Sequence, residues 1–410
     1  MGWMIPAVPE ISPLPKPNYR RWIILLIPML TIGGLCGLFV FNLVTYGDVL
    51  IYGILPTLFL WLCIMGVVIN KYEQSVASCL AWNTEKEQIK EHWRKWSQKQ
   101  LAVVGNIIYT PDGEGIDSLL GPLKDIPAYP QKARPLSFPL RNTITAITSN
   151  IHQNLEHQYP GYRNYLQTIY ILQSKNKECK TIEQAVLSQW DLVPETVNSI
   201  ECIESFYDNE NFDGLVLVIC LQRWSGDASG KHSELVSGQL ISSYSFAKRH
   251  AIPVIAGIGR TMTLEPEGLE SNLNTLVEYN QLNKNKLQHI WVSNINNELI
   301  ENIMQYANQY EWELPRRQPL HMIDHSFGPG SELAFPLSLA ILTEATRETS
   351  KEQLVICQKS QEIETKWLCL ITPGHYFERE ENNAYCALWF LGLSSSYYRA
   401  GRNLCLIDFH

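Results

Sequence analysis

Residues 212–221 read FDGLVLVICL, and this run decides the fold class. It is apolar at consecutive positions instead of alternate ones, which is typical of a strand buried on both faces of a covered sheet. Strand and helix patterns alternate on either side of it, and three strand patterns follow near the end of the chain. Together these patterns predict a mixed α/β domain of the layered type.

The other predicted elements follow from the spacing of apolar residues. Strands are expected at residues 101–105, 165–172, 253–257, 289–293, 353–359, 365–372 and 386–391. Helices are expected at residues 143–158, 181–190, 233–249, 273–281, 297–310 and 328–344. The last helix is apolar nearly all round, which predicts that it is buried, although Pro336 lies within it.

Two uncharged apolar runs near the N-terminus, residues 22–44 and 49–69, are each long enough to cross a bilayer core of about 30 Å. Only residues 45–48 separate them, which predicts a helical hairpin. Basic residues flank the pair and none lies in its turn: Lys16, Arg20, Arg21, Lys71, Lys86, Lys90, Arg94 and Lys95. The positive-inside rule then places both ends in the cytoplasm. The alternative is a single span that exports the large domain.

These runs divide the chain into four predicted parts. Residues 1–18 form a proline-rich cytoplasmic tail, which is either disordered or a short docking peptide. Residues 19–71 form the transmembrane hairpin, and residues 72–100 form an amphipathic connecting helix with tryptophans at helical spacing. Residues 101–410 form the α/β domain.

Composition narrows the possible partners and cofactors. The net charge is -8 and no basic stripe occurs, which argues against nucleic acid as a partner. None of the ten cysteines forms a CxxC pair, so no metal centre or other cofactor is predicted. Free thiols within apolar runs indicate a reducing compartment, whereas a disulfide-bearing periplasmic domain remains the alternative.

One segment resembles a known family. Residues 324–335, DHSFGPGSELAF, followed by LSLAI at 337–341, resemble the thiolase-like ketoacyl synthases, where a Gly-His, a glycine-rich turn and an Ala/Leu-rich central helix occur in that order. LAVVG and YTPDGEG, within residues 101–115, resemble the opening segment of that family. FDGLVLVICL and PVIAGIG (253–259) fit later strands of the family's fold in the same order. The resemblance covers residues 100–410 and implies a thiolase-like domain, which could form a homodimer.

The same resemblance implies a catalytic site, and the sequence departs from it. The family uses a cysteine at the N-terminus of a buried helix, because the helix end favours the thiolate. No cysteine here fits, since Cys179 lies in a polar run and Cys220 lies inside a strand. His325 matches the histidine before the glycine-rich turn, and His289 or His321 could lie nearby. The resemblance therefore implies either an emptied site or an enzyme that uses His325, His289 and Cys220.

Thiolase-like domains that lack a working site and follow a membrane anchor resemble accessory proteins of bacterial type VI secretion systems. This resemblance implies a non-catalytic adaptor in the inner membrane, whose protein partner is a secretion component or a lipase effector. Two other functions stay open. One is a membrane-associated acyltransferase or condensing enzyme, and the other is a regulator that binds a lipid or small molecule.

Two further groups of residues are candidate sites. Ser225, Asp227 and His232 lie in a polar loop after residues 212–221, where they could bind a ligand or act as nucleophile, acid and base, although a loop that caps the next helix is the simpler interpretation. His321 and His325 have the spacing of two metal ligands on a helix, but nearby proline and glycine favour structural roles. The sequence has no GxSxG, HExxH or dinucleotide motif, which argues against hydrolase, metalloprotease and oxidoreductase functions.

Overall fold

A computed structural model describes residues 3–374 except 4, 43, 113–114, 122–125, 127, 129–131, 138–142, 174–178, 210, 225–229, 265–267, 283–284 and 361–362. The chain divides into two compact units. The smaller unit holds residues 5–94, and the larger unit holds residues 95–410 together with residues 1–4. The predicted strand at 386–391 lies outside the described residues.

The smaller unit contains the hairpin. Its elements are α1 (Tyr19–Phe39), α2 (Tyr46–Asp48), a π-helical turn (Val49–Ile54) and all but the last four residues of α3 (Leu55–Gln98). Two helical stretches, Tyr19–Phe39 and Tyr46–Gln98, are long and apolar enough to cross a membrane, as the sequence predicted. The connecting helix expected at 72–100 is continuous with the second of these stretches, because no helix-breaking residue separates them.

Small residues bring the two hairpin helices together. A Cβ atom added to Gly53 would lie 2.8 Å from the carbonyl oxygen of Gly33, and one added to Gly33 would overlap the Thr57 hydroxyl. Glycine at these positions allows the two backbones to touch, which favours packing between helices in a membrane.

We expect Gly33→Ala to destabilise the hairpin by about 1–3 kcal/mol, because its methyl group has no room against Thr57 and Gly53. Gly34→Ala is the matched control, since its Cβ would make only an ordinary contact of 3.8 Å with Ile54. Thermal unfolding of both variants in the same detergent measures the difference. Equal midpoints for the two variants would contradict the close helix contact.

Trp3 belongs to the larger unit. Trp3 donates from its indole nitrogen to the carbonyl of Thr261 at 3.0 Å, and its ring meets that of Trp96 edge-on at 5.6 Å. Arg260 lies over the Trp96 ring at 4.3 Å and donates to the Trp96 carbonyl at 2.8 Å. Residue 3, which precedes the first apolar helix, therefore contacts residue 96, which follows the second.

Eleven described strands form the sheet of this unit. They are β1 (Leu101–Tyr109), β2 (Leu166–Gln173), β3 (Glu195–Val197), β4 (Leu215–Gln222), β5 (Leu235–Ser243), β6 (Ala256–Ile258), β7 (Met262–Leu264), β8 (Leu287–Ser293), β9 (Leu320–Met322), β10 (Glu352–Ser360) and β11 (Ile363–Pro373). The helices are α4 (Asp117–Leu120), α5 (Ile144–Gln158), α6 (Cys179–Trp190), α7 (Glu204–Asp208), α8 (Tyr244–Arg249), α9 (Leu269–Asn280), α10 (Asn297–Gln309), α11 (Ile323–Phe327) and α12 (Ala334–Thr349), with 3₁₀ turns at Tyr162–Tyr165 and Ile200–Ile203.

The strand order shows an internal repeat. It runs β3-β2-β4-β5-β1-β6-β11-β10-β8-β9, with β7 paired to β11 outside this path. The first half has the order β3-β2-β4-β5-β1, and the second half, without β7, has the equivalent order β9-β8-β10-β11-β6. The last strand of each half in sequence, β5 or β11, is antiparallel to its two neighbours in this order. The first strands of the two halves, β1 and β6, pair with each other. The fold is thus a duplicated five-stranded α/β unit.

Three apolar clusters form the layers around the sheet. One cluster takes residues from both halves and includes α12, so it is a shared inner layer. The second packs α5, α6 and α8 on the outer face of the first half, and the third packs α9 and α10 on the outer face of the second half. In β4 the alternate residues Val216, Val218 and Cys220 face the inner layer. The layered α/β class predicted from the sequence is confirmed.

Two predicted helices differ from the structure. Residues 233–249 form β5 and the short helix α8, because both faces of β5 are buried and the run therefore lacks strand alternation. The inner helix begins at Ala334 instead of residue 328, so Pro336 lies in its first turn, where a missing N–H has no helical partner to lose.

Candidate functional site

The histidine that matched the family motif lies on a short helix that contacts the end of β8. His325 is exposed on α11, beside Asp324, which is mostly buried. The Asp324 carboxylate accepts hydrogen bonds from the Ser293 hydroxyl at 2.7 Å and from the Asn294 backbone N–H at 2.5 Å. Burial raises the pKa of Asp324, while these two donors act against the rise. Asp324 thus ties α11 to the end of β8 and leaves His325 facing solvent.

The glycine-rich turn follows α11. Gly328 has φ +89° and ψ 179°, a conformation that is essentially restricted to glycine. A Cβ atom there would overlap the Lys132 carbonyl and the Ser233 hydroxyl. Beyond it, the Ser331 hydroxyl donates to the side-chain oxygen of Gln222, and the side-chain nitrogen of Gln222 donates to the Ser233 carbonyl at 2.6 Å. Segments from both halves therefore meet at this turn.

Two charged side chains hold the neighbouring loops. Glu234 is 2% exposed and accepts from the backbone N–H groups of Trp224 at 2.8 Å and Leu136 at 3.0 Å. The Arg134 guanidinium forms an ion pair with Asp112 through two hydrogen bonds, one of them 2.9 Å. Both charged side chains are engaged in hydrogen bonds that hold the loops in place, so they contribute structure to this site.

The other predicted histidines lie elsewhere. His289 and His321 contact each other with ring centroids 4.5 Å apart, and His321 stacks on Trp291 at 4.1 Å. His289 lies four positions before Ser293 in β8, which is about 13 Å along a strand. The structure therefore does not bring His289 to His325. His321 lies on β9 and His325 on α11, so the helical spacing of a metal pair does not apply, and no cluster of three possible ligands occurs among the described residues.

Burial lowers the pKa of both inner histidines. The pKa of His289 is lowered to about 4, mainly by burial and then by Lys351. The pKa of His321 is lowered to about 3, mainly by burial and then by His289. Both imidazoles are therefore neutral at pH 7, where they act as aromatic core side chains.

The two cysteines named in the sequence analysis lie in different elements of the first half. Cys179 is the first residue of α6, so a cysteine does begin a helix. That helix belongs to the outer layer, and the Cys179 thiol donates to Glu183 at 3.2 Å. Cys220 is buried in β4, where burial raises the pKa of its thiol. His325 lies on α11, whose residue Ile323 packs in the inner layer. Cys179 and His325 therefore belong to helices of different layers.

Sequence reasoning missed a cysteine in the inner layer. Cys202 lies in the 3₁₀ turn that follows β3 and leads into α7. Its side chain is half-buried, and burial, followed by the Glu195 and Glu201 carboxylates, raises its pKa to about 11. Ser199, which caps this turn through a bond from the Glu201 N–H, was the one local signal of a helix start.

Large aromatic side chains fill the inner layer beside this turn. The rings of Phe335 and Trp367 meet edge-on at 4.7 Å, and both are at most 5% exposed. A cleft lined by Ile203, Tyr207, Phe335 and Trp367 has room for about one water molecule. This cleft is too small for an acyl chain.

The predicted ligand loop is described only in part. Ser225 and Asp227 lie outside the described residues. His232 is half-buried, and its backbone carbonyl accepts from the Trp224 indole at 2.5 Å. The loop precedes β5 and not a helix, so the predicted helix cap does not exist.

The sequence matches no protein-family model and no curated protein. The fold is similar to that of a chain in a solved complex of a type II polyketide synthase acyl-carrier protein with its ketosynthase bound to the hexaketide, with a TM-score of 0.50, 9% identity, and coverage of 67% of this chain and 99% of that chain.

Two other solved structures have lower scores. A beta-ketoacyl synthase from Burkholderia phymatum has a TM-score of 0.46 at 10% identity, covering 67% of this chain and 99% of that one. The human mitochondrial 3-ketoacyl-CoA thiolase has a TM-score of 0.43 at 8% identity, covering 68% of this chain and 98% of that one. At such low identity the first likeness shows the fold alone, and it confirms the thiolase-like fold that the sequence resemblance implied.

Proposed function

We propose that this chain is a membrane-anchored, thiolase-like scaffold that does not catalyse acyl transfer. The observation that carries this proposal is the burial of the inner-layer thiols, which disfavours their thiolate form. Condensing enzymes need a thiolate, whereas burial raises the pKa of Cys202, Cys220, Cys357 and Cys369. The pairing of the buried His289 with His321, while His325 is exposed on α11, supports the same conclusion.

The proposed membrane arrangement is a hairpin with both ends in the cytoplasm. The contact between Trp3 and Trp96 supports it, because these residues flank the two apolar helices and must then lie on the same side. Basic flanks on both sides support the cytoplasmic orientation in a bacterial inner membrane. Reporter fusions at the C-terminus test it, and activity of a periplasmic reporter would favour the exported domain instead.

The proposed role is that of an adaptor in a type VI secretion system, which loads a lipase effector. The resemblance of an anchored thiolase-like domain to accessory proteins of those systems supports this role. Affinity capture of the full chain from detergent-solubilised membranes, followed by identification of co-purified proteins encoded beside it, is the test. We expect an effector or spike component, with equal recovery by His325→Ala. Recovery of neither component would contradict the adaptor role.

A condensing enzyme is the second candidate. The position of Cys202 after β3, in the turn that leads into α7, favours it. The two candidates predict different thiol chemistry. In a scaffold, Cys202 at pH 7.5 should react with iodoacetamide on the order of a hundredfold more slowly than free cysteine, because a pKa of about 11 leaves little thiolate.

Mass spectrometry of the alkylated chain measures this rate, and Cys202→Ser identifies the labelled site. The rate should rise about tenfold per pH unit up to the pKa of the thiol. Fast labelling at pH 7.5, or transfer of an acyl group from acyl-coenzyme A to Cys202, would establish the enzyme and overturn the scaffold. Binding of a lipid or small molecule and formation of a homodimer remain predictions.

A further inference from the structure

One face of α3 outside its apolar part carries four side chains that all contact the N-terminal segment. Ser75, Cys79, Trp82 and Lys86 are spaced by four, three and four residues, so they form one stripe along the helix. We call these four residues the docking stripe. The segment that they contact is residues 9–14, PEISPL.

Each member of the docking stripe makes one hydrogen bond to that segment. The Trp82 indole donates to the carbonyl of Pro9 at 2.9 Å, and the Cys79 thiol donates to the carbonyl of Ile11 at 2.8 Å. The Ser75 hydroxyl accepts from the backbone N–H of Leu14 at 2.8 Å. Three of the four bonds therefore recognise the main chain, which any peptide of the same conformation offers.

The fourth bond adds charge selectivity. Lys86 donates to the Glu10 carboxylate at 2.8 Å, and this bond lowers the pKa of Glu10. The Lys86 side chain is 11% exposed, whereas that of Glu10 is 86% exposed. The helix thus presents a partly enclosed ammonium group to an acidic residue that sits beside a proline.

The segment is held without deep burial of its own side chains. Ile11 is 46% exposed and Leu14 is 48% exposed, so little apolar area leaves the water when the segment docks. Prolines at 9 and 13 restrict the backbone to φ near −65°, which favours an extended conformation whose carbonyl groups lack internal partners. A pre-extended peptide loses little entropy on binding, and recognition of the main chain makes it replaceable.

We propose that the docking stripe is a binding site for a proline-rich, acidic peptide segment of a partner protein, and that residues 9–14 occupy it as a built-in competitor. A tethered segment has an effective concentration in the millimolar range, so a free peptide must displace it. The inference goes beyond the adaptor role and does not depend on it, because it concerns α3 and not the α/β domain.

The test uses the full chain in detergent micelles and a fluorescent synthetic peptide of residues 5–17. In one variant, glycine and serine replace residues 9–14, which keeps the length of the tail and Trp3. We expect this variant to bind the peptide at least about tenfold more tightly than the unaltered chain, because the tethered competitor is gone. Adding Trp82→Ala or Lys86→Gln to it should remove most of that binding.

Leu80→Ala in the same background is the matched control. Leu80 is 63% exposed on the same helix, and its replacement should leave peptide affinity unchanged. A peptide with alanine in place of its prolines should bind several-fold more weakly. Absence of peptide binding by the glycine-serine variant, or equal binding by its Trp82→Ala derivative, would overturn the proposal. Circular dichroism shows whether each variant keeps its helix content, so a loss of binding can be assigned.

Discussion

Acidification from pH 6.5 to pH 4 should destabilise the α/β domain through two buried histidines. His289 and His321 are 8% and 4% exposed, and burial lowers their pKa values to about 4 and about 3. An unfolded imidazole has a pKa near 6.5, so the unfolded chain binds protons that the folded chain excludes. The contribution of these histidines to stability is therefore complete above pH 6.5 and is lost as the pH falls.

The expected loss is on the order of 3 kcal/mol for one imidazole, since each pKa unit corresponds to about 1.4 kcal/mol. The two rings contact each other, so their contributions do not simply add. The free energy of unfolding of the full chain in detergent, followed through tryptophan fluorescence during urea titration at each pH, measures the effect.

The variant His321→Phe isolates the histidine pair. Phenylalanine can keep the stack on Trp291 while it removes one titrating group, so stability should depend less steeply on pH. Asp324 and Glu344 have raised pKa values and act in the opposite direction, which is why the comparison with the unaltered chain matters. His157→Gln, at an exposed position of α5, should leave the slope unchanged. An unchanged slope for His321→Phe would refute the assignment.

Replacement of Gly328 should have an effect of similar size. Gly328→Ala places a methyl group in a conformation that is essentially restricted to glycine, which costs about 1–3 kcal/mol. The methyl group also overlaps the Lys132 carbonyl and the Ser233 hydroxyl, and such overpacking costs a further 1–3 kcal/mol or so. We therefore expect a loss of about 4 kcal/mol in the free energy of unfolding, or failure of the domain to fold.

Gly115→Ala separates the two causes. Gly115 also has a positive φ, +65°, but nothing lies within 4 Å of its added Cβ. This variant should lose only about 1 kcal/mol, which reflects backbone conformation without steric overlap. Thermal unfolding of both variants under the same conditions gives the comparison, and equal losses would show that the contact of Gly328 with the neighbouring loops is not tight.

Much of the fold could be predicted from local sequence patterns. The run of consecutive apolar residues at 212–221 predicted a strand covered on both faces, and β4 is such a strand at 215–222. The error at β5 has the same origin, because a strand buried on both faces has no alternation to distinguish it from a buried helix. The candidate site was predicted only in part: His325 precedes a glycine-rich turn as the motif implied, but Cys202 carried too little local signal.

The sequence by itself determined the layered α/β class, the two long apolar helices and the glycine-rich turn after His325, because each depends on side-chain periodicity or on a backbone conformation that one residue type favours. Only the tertiary structure decided which groups meet. It pairs β1 with β6 across the repeat, places His289 against His321 and away from His325, and lays residues 9–14 along α3. Such contacts join residues far apart in the chain, and they depend on strand order and burial, which no local pattern encodes.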